Sequence, residues 1–206
     1  MRTAEQFHTS VMPAADFCRD ILLPTRTKLK EIIMQSVSHS KPVTAHQRTI
    51  WTVQAGIIAA LYLVLTLLAA GFDLASGAIQ VRFSEALTIL PYFTPAAVPG
   101  LAVGCLIANF VTGSALPDVV FGTLATLLGA LGTRALRKHR FLCSFPPVIS
   151  NMIIVPLILI YAYGVPGGFP YLAATVGAGE AVCCILFGQI LISALRPVRN
   201  QIFGQM

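Results

Sequence analysis

Charged residues are scarce in this sequence: Asp, Glu, Lys and Arg together make up only 11% of its 206 residues, whereas 56% are hydrophobic. The mean hydropathy is +0.78. A water-soluble domain of this size would expose far more charge, so the composition indicates a membrane protein with several crossings. The net charge is +6, but the basic residues lie in short loops and tails, which argues against nucleic-acid binding.

Motifs for catalysis and metal binding are also missing from the sequence. There is no GxxxxGK(S/T) phosphate-binding loop, so the chain does not hydrolyse ATP by the usual route, and HExxH and GxSxG are absent as well. The five cysteines form no CxxC pair, and all four histidines lie outside the apolar segments. Scattered cysteines of this kind are typical of small buried side chains. We therefore expect neither an enzyme nor a resident metal or cofactor.

Residues 1–48 differ from the remainder because they are mixed in charge and contain no sustained apolar run. This composition is typical of a disordered cytoplasmic tail, and it lacks the hydrophobic core of a signal peptide. A second interpretation comes from Lys30 and Glu31, since the codons AAG GAG would form a ribosome-binding sequence shortly before the ATG of Met34. Translation would then begin at Met34, and residues 1–33 would be a mis-assigned leader. The nucleotide sequence decides between these two interpretations.

Six windows of high hydropathy follow, at about 49–70, 77–92, 95–112, 118–136, 146–163 and 171–194. Each is close to the ~20 residues that a helix needs to cross the hydrocarbon layer. The second window is short, which predicts a tilted or partly re-entrant segment, and its prolines predict a break after Leu90. We predict an all-α integral membrane protein with a six-helix domain over 49–196 and a short tail over 197–206.

Along the chain, stretches that are rich in Lys and Arg alternate with loops that have none. The N-terminal tail carries seven of these basic residues, whereas the loops at 71–76, 113–117 and 164–170 carry none. Basic residues return at the end of the fourth segment and after the sixth, as Arg134, Arg137, Lys138, Arg140, Arg196 and Arg199. The positive-inside rule then predicts a multi-pass protein of the bacterial cytoplasmic membrane with both termini in the cytoplasm.

Polar side chains interrupt the apolar segments on the predicted extracytoplasmic side. An ionised group at bilayer depth costs roughly 2.5–3.5 kcal/mol, so such residues usually face a cavity or a partner. The candidate binding residues are Gln80, Arg82, Glu85, Asn109, Asp118 and Glu180. Three carboxylates with one arginine suit a ligand that is cationic or rich in hydrogen-bond donors. A simple Arg82–Glu85 ion pair that only orients helices is the alternative, and Asn151 falls nearer the cytoplasmic end, outside this set.

Two further groups of residues have a functional and a structural interpretation. The aromatic candidates for stacking on a planar ligand are Phe83, Tyr92, Phe93, Phe110 and Phe121. In the first segment, two overlapping small-xxx-small pairs are formed by Ala55, Gly56, Ala59 and Ala60. Small residues allow helix backbones to approach closely, either within the bundle or against another membrane subunit. Aromatic side chains, for their part, are more often core or lipid-facing residues.

Several longer stretches are specific enough to compare with known families. They read GAIQVRFSEALTILPYFTPAAVPGLAVGCLIANF, PDVVFGTLATLLGAL, FPPVISN and VGAGE. This pattern resembles the QueT family, which are substrate-binding S-components of energy-coupling factor (ECF) transporters. The resemblance covers about residues 50–195 and leaves out 1–48. It implies an ECF S-component-like bundle that captures a queuosine precursor, a 7-deazaguanine such as preQ1 or preQ0, at an outward-facing site.

The resemblance also implies partners. An S-component assembles with a transmembrane T-component and two cytosolic ATPase subunits, and the T-component would dock on the small residues of the first helix. The alternative is a stand-alone proton-coupled transporter of a small polar or cationic solute, in which Asp118 and Glu180 would carry protons. The lack of a second, inverted copy of the polar segment argues against that alternative.

The predicted orientation is directly testable with topology reporters. A reporter fused after Arg199 should read cytoplasmic, and one inserted between Gly167 and Gly168 should read extracytoplasmic, because an odd number of crossings separates these sites. Alkaline phosphatase and green fluorescent protein fusions at both positions provide the measurement. Two reporters on the same side would contradict the six-crossing prediction.

Overall fold

The structure is a computed structural model in which residues 44–72 and 82–203 are described. All regular secondary structure in these two ranges is helical, which confirms the all-α prediction. Residues 1–43, 73–81 and 204–206 lie outside the described part. The two interpretations of the N-terminal stretch, including a start at Met34, and the placement of Gln80 therefore remain predictions.

Six α-helices can be numbered along the described chain, and three of the helical runs include turns of other geometry. Helix α1 spans Ala45–Gly71. A 3-10 helix, referred to as the 3-10 segment, spans Phe83–Tyr92. Helix α2 is Ala97–Val111, and the π-helical turn Asp118–Gly122 leads into α3, Thr123–Ala135. A 3-10 turn, Leu142–Ser144, precedes α4, Phe145–Tyr161. Helix α5 covers Phe169–Leu195 with a π-helical stretch at Ala181–Phe187, and α6 is Arg199–Phe203.

Within the described residues, three helical runs are long and apolar enough to cross a bilayer: Ala45–Gly71, Leu142–Tyr161 and Phe169–Leu195. Helix α2 is apolar but has only 15 residues, which at about 1.5 Å per residue falls short of the ~30 Å hydrocarbon thickness. The structure therefore gives several membrane-crossing helices, while the prediction of six crossings is not confirmed.

The second predicted segment is a core element of the bundle. The 3-10 segment packs against α1, α3 and α5, and seven of its ten residues are buried. Such a long 3-10 run is uncommon, and one that is enclosed by other helices avoids exposing its strained backbone to lipid. The 3-10 segment ends at Tyr92, and the α-helix restarts at Ala97. The break therefore lies two residues beyond Leu90, after which the sequence predicted it.

Helices α1 and α2 approach each other through small residues. A Cβ atom added to Gly100 would lie 2.7 Å from the carbonyl oxygen of Ala55, and one added to Gly104 would lie 3.0 Å from the Cα atom of Ala59. Ala55 and Ala59 therefore pack against α2 inside the bundle. On a neighbouring face of α1, a Cβ atom added to Gly56 would meet no described atom within 4 Å, and Ala60 is exposed.

The close α1–α2 contact predicts unequal effects for two glycine substitutions. Gly100→Ala should lower the free energy of unfolding by about 1–3 kcal/mol, because the new methyl group would press on the Ala55 backbone. Gly56→Ala should be neutral or slightly stabilising, since its Cβ enters open space and alanine favours helix over glycine. Reversible unfolding in mixed micelles measures both. Equal stabilities of the two variants would contradict the close packing.

Candidate functional site

A cavity of about 370 Å³ opens at the end of the bundle that the positive-inside rule assigns to the outside. Its polar lining residues are Thr66, Arg82, Ser84, Asn109, Thr112, Ser114, Asp118 and Tyr163. Its apolar lining residues are Ala69, Ala70, Val155, Ile158, Leu159 and Val165. A concave site of this size with a few convergent polar groups is typical of small-molecule binding.

The only ion pair within the described residues joins Arg82 to Asp118, with 3.8 Å between Nη2 and Oδ2. The hydroxyl of Tyr163 donates to the same Oδ2 atom at 3.2 Å and accepts from the backbone N–H of Ala115 at 3.0 Å. The alternative interpretation, a simple Arg82–Glu85 ion pair, is therefore wrong. Arg82 precedes the 3-10 segment with an extended backbone, φ −101° and ψ 97°, so the helical spacing on which that expectation rested does not apply.

Asn109 fixes the turn that carries Asp118. Its Nδ2 atom donates to the backbone carbonyl of Asp118 at 3.3 Å and contacts the Sγ atom of Cys105 at 3.5 Å. A Cβ atom added to Gly122 would lie 3.0 Å from Oδ1 of Asp118 and 3.2 Å from Nδ2 of Asn109. The glycine thus leaves room for both side chains, and the π-helical turn that begins at Asp118 directs the carboxylate into the cavity.

Glu85 lies in a second, more enclosed cluster and is only 1% exposed. The hydroxyl of Tyr62 donates to its Oε1 atom at 2.5 Å. Thr126 and Asn151 lie beside the carboxylate, but Oε2 has no hydrogen-bond partner among the described residues. A buried oxygen that makes no hydrogen bond loses the solvation it had in water without compensation.

Glu180 completes this second cluster at the start of the π-helical stretch in α5. It is 5% exposed, and the Sγ atom of Cys184 donates to its Oε2 atom at 3.3 Å. Carboxylate oxygens of Glu85 and Glu180 and the Sγ atom of Cys184 all lie within 4.8 Å of one another. Two carboxylates and a thiol at this spacing are suited to a cation, whether a metal ion or an ammonium group. Neither glutamate lines the cavity.

These buried groups lie within a range that matches a known transporter family. The family model described as QueT transporter matches residues 52–197, more than half of the chain. The chain belongs to the QueT transporter family. Together with the long apolar helices, this membership makes it a multi-pass membrane protein with a transport role.

One curated relative supports the QueT assignment over a shorter stretch. The Queuosine precursor transporter QueT of Lactococcus lactis subsp. cremoris (strain MG1363) is 36% identical over 76 residues, which is 37% of this chain and 44% of the relative. The chain therefore matches less than half of that relative's length. No solved structure matches the chain.

In this QueT family member, the candidate residues that the sequence placed at a single depth form two separate groups in the structure. Arg82, Asn109 and Asp118 line the cavity, whereas Glu85 and Glu180 form the enclosed cluster. Asn151, which the sequence placed nearer the cytoplasmic end and outside the binding set, lies beside both glutamates. Its separation from Glu85 and Glu180 was therefore wrong.

The aromatic residues that the sequence offered for stacking do not line the cavity. Phe83 packs edge-on against Phe187, and Phe93 stacks on Phe203 at 5.3 Å. Phe110 and Phe121 are exposed on the outer surface of the bundle. Phe83 and Phe93 therefore pack against other rings, and Phe110 and Phe121 face outward, so the structure does not support stacking on a ligand in the cavity.

Sequence reasoning missed four residues that complete the two polar groups: Tyr62, Ser84, Tyr163 and Cys184. A tyrosine in the middle of a long apolar helix carries a weak signal, because a buried hydroxyl needs a partner. Ser84 precedes Glu85, and its buried Oγ atom has no hydrogen-bond partner among the described residues although the residue lines the cavity. No sequence pattern distinguishes Cys184 from the buried cysteine beside it.

Proposed function

We propose that this protein is the substrate-specific S-component of an ECF-type importer and captures a queuosine precursor, a 7-deazaguanine such as preQ1 or preQ0. Membership of the QueT transporter family and the name of the Lactococcus relative support the substrate class. The protein would lie in the bacterial cytoplasmic membrane with both termini inside. The cavity would then receive the ligand from the outer face.

The observation that carries this proposal is an unsatisfied polar atom on the wall of the cavity. Ser84 Oγ is buried without a hydrogen-bond partner in the described residues. Such atoms are rare in folded proteins because each costs about 1–3 kcal/mol. Ser84 faces the cavity, so a polar ligand there would provide the missing partner.

The cavity chemistry suits the edge of a guanine-like base. The N1–H and 2-amino groups of such a base are hydrogen-bond donors. The carboxylate of Asp118 would accept a hydrogen bond from each, and charge-assisted hydrogen bonds are about twice as strong as neutral ones. The guanidinium of Arg82 donates to the ring carbonyl on the same edge.

A second candidate function is supported by the enclosed cluster. Two carboxylates buried outside the cavity are typical of proton relays in secondary transporters. A stand-alone proton-coupled transporter would accumulate substrate without ATPase partners. Uptake by reconstituted protein alone, abolished when the proton gradient is collapsed, would favour this function over the ECF proposal.

The proposed T-component contact uses only part of the small-residue set. Ala55 and Ala59 pack against α2, so Gly56 and Ala60 are the positions of that set still available for docking. They share an exposed face of α1 with Val53, Ile57 and Val64. This face offers a close approach for one partner helix.

Asp118→Asn should weaken binding of preQ1 by roughly tenfold to a few hundredfold, because the amide replaces one acceptor with a donor that opposes the ligand's own donors. Isothermal titration of the purified protein gives the dissociation constant. Tyr163→Phe is the matched control, since it removes the hydroxyl that donates to Asp118 but keeps the carboxylate. Equal losses in both variants would assign the effect to the hydrogen-bond network and not to ligand contact.

Gly56→Leu should leave preQ1 binding by the isolated protein unchanged yet impair ATP-driven transport, because a large side chain would separate two docked backbones. Gly71→Leu is the control at the far end of α1, where an added Cβ also meets no described atom within 4 Å. Co-purification with the T-component and uptake in proteoliposomes provide the readouts. Normal assembly of Gly56→Leu would remove this face from the proposal.

A further inference from the structure

A groove of about 660 Å³ lies on the surface of α5, at the opposite end of the molecule from the cavity loops. Its floor is formed by apolar side chains that include Val182, Ile185, Leu186 and Ile190. Leu186 and Ile190 are 55% and 56% exposed. In a membrane protein such a surface faces the acyl chains of lipid.

The groove has one charged end, which is formed by Arg140 with Gln189 and Ser193. Arg140 Nε donates to Gln189 Oε1 at 3.1 Å, and its Nη2 atom donates to Ser193 Oγ at 2.6 Å. Gln189 Nε2 in turn donates to the backbone carbonyl of Arg140 at 2.9 Å. The guanidinium is therefore held in one orientation at the head of the groove.

Both of these side-chain partners are neutral. No carboxylate lies within ion-pair distance of Arg140 anywhere in residues 44–72 and 82–203. The neighbouring loop adds Arg137 and Lys138, so the surroundings are positive as well. An oriented guanidinium without a counter-charge, set beside an apolar surface, is suited to bind an anion that carries an apolar tail.

We propose that this groove is a binding site for an anionic phospholipid. The phosphate would accept hydrogen bonds from the guanidinium of Arg140, and one acyl chain would lie along Ile185, Leu186 and Ile190. A membrane lipid fits better than a soluble phosphate, because most of the groove surface is apolar. The site lies at the end of the bundle that the positive-inside rule assigns to the cytoplasm, where anionic lipids attract basic residues.

The test uses the full chain in nanodiscs that contain phosphatidylcholine with a minor fraction of spin-labelled phosphatidylglycerol or spin-labelled phosphatidylcholine. The immobilised fraction of each probe gives its relative association constant. Wild-type protein should prefer phosphatidylglycerol by about fivefold, and Arg140→Gln should reduce this preference to near one, because the phosphate would lose the charge-assisted hydrogen bonds of the oriented guanidinium.

Lys138→Gln is the matched control, since it removes the same charge from an exposed residue of the same loop that does not line the groove. It should keep most of the preference. Ile190→Trp should also lower the preference by filling the groove from an exposed position, without touching any charge. Equal losses in Arg140→Gln and Lys138→Gln, or no preference in the wild type, would overturn the proposal. Binding of preQ1 is a separate readout and should be unchanged in all three variants.

Discussion

The Arg82–Asp118 ion pair is the interaction on which the cavity depends. It ties the residue that precedes the 3-10 segment to the turn that opens α3, and Tyr163 joins them from the end of α4. The side chain of Asp118 is 7% exposed and that of Arg82 is 23% exposed. Such a pair gains little net stability, because both charges lose hydration, but removing one partner leaves the other charge uncompensated. The pair therefore holds these three chain segments together around a polar space, where a ligand can use the remaining hydrogen-bonding capacity.

Each buried carboxylate lies at a departure from α-helical geometry. Glu85 lies in the 3-10 segment, Asp118 begins a π-helical turn, and Glu180 immediately precedes the π-helical stretch of α5. Such irregular turns are frequent at functional sites because they redirect a side chain relative to a regular helix. They are tolerated at membrane depth where the surrounding protein encloses them.

The sequence was sufficient for the helical class and for the family. Apolar windows of helical length and charges inside them are local signals, which explains why Arg82, Glu85, Asp118 and Glu180 could be singled out as polar residues within the bundle. Their division into a cavity and an enclosed cluster was not predictable, because it depends on the extended backbone at Arg82 and on the π-helical turns. Neither feature has a local sequence signature.

The small residues of α1 show the same limit. Their four-residue spacing predicts close helix contacts, but the sequence does not say which pair faces inward. That assignment follows from Gly100 and Gly104, which lie opposite Ala55 and Ala59 in the folded bundle. Asn151 was separated from the two glutamates for a related reason, since the side chains that meet depend on how the helices pack and not only on distance along the chain from a charged loop.

A double-mutant cycle in the free energy of unfolding tests the central ion pair most directly. Arg82→Gln and Asp118→Asn should show a coupling energy of about 0.5–3 kcal/mol, as expected for residues in one buried network. The cycle of Arg82→Gln with Glu85→Gln should give a smaller value, because these two side chains form no ion pair. Additive effects of Arg82→Gln and Asp118→Asn, with strong coupling between Arg82 and Glu85, would contradict this account.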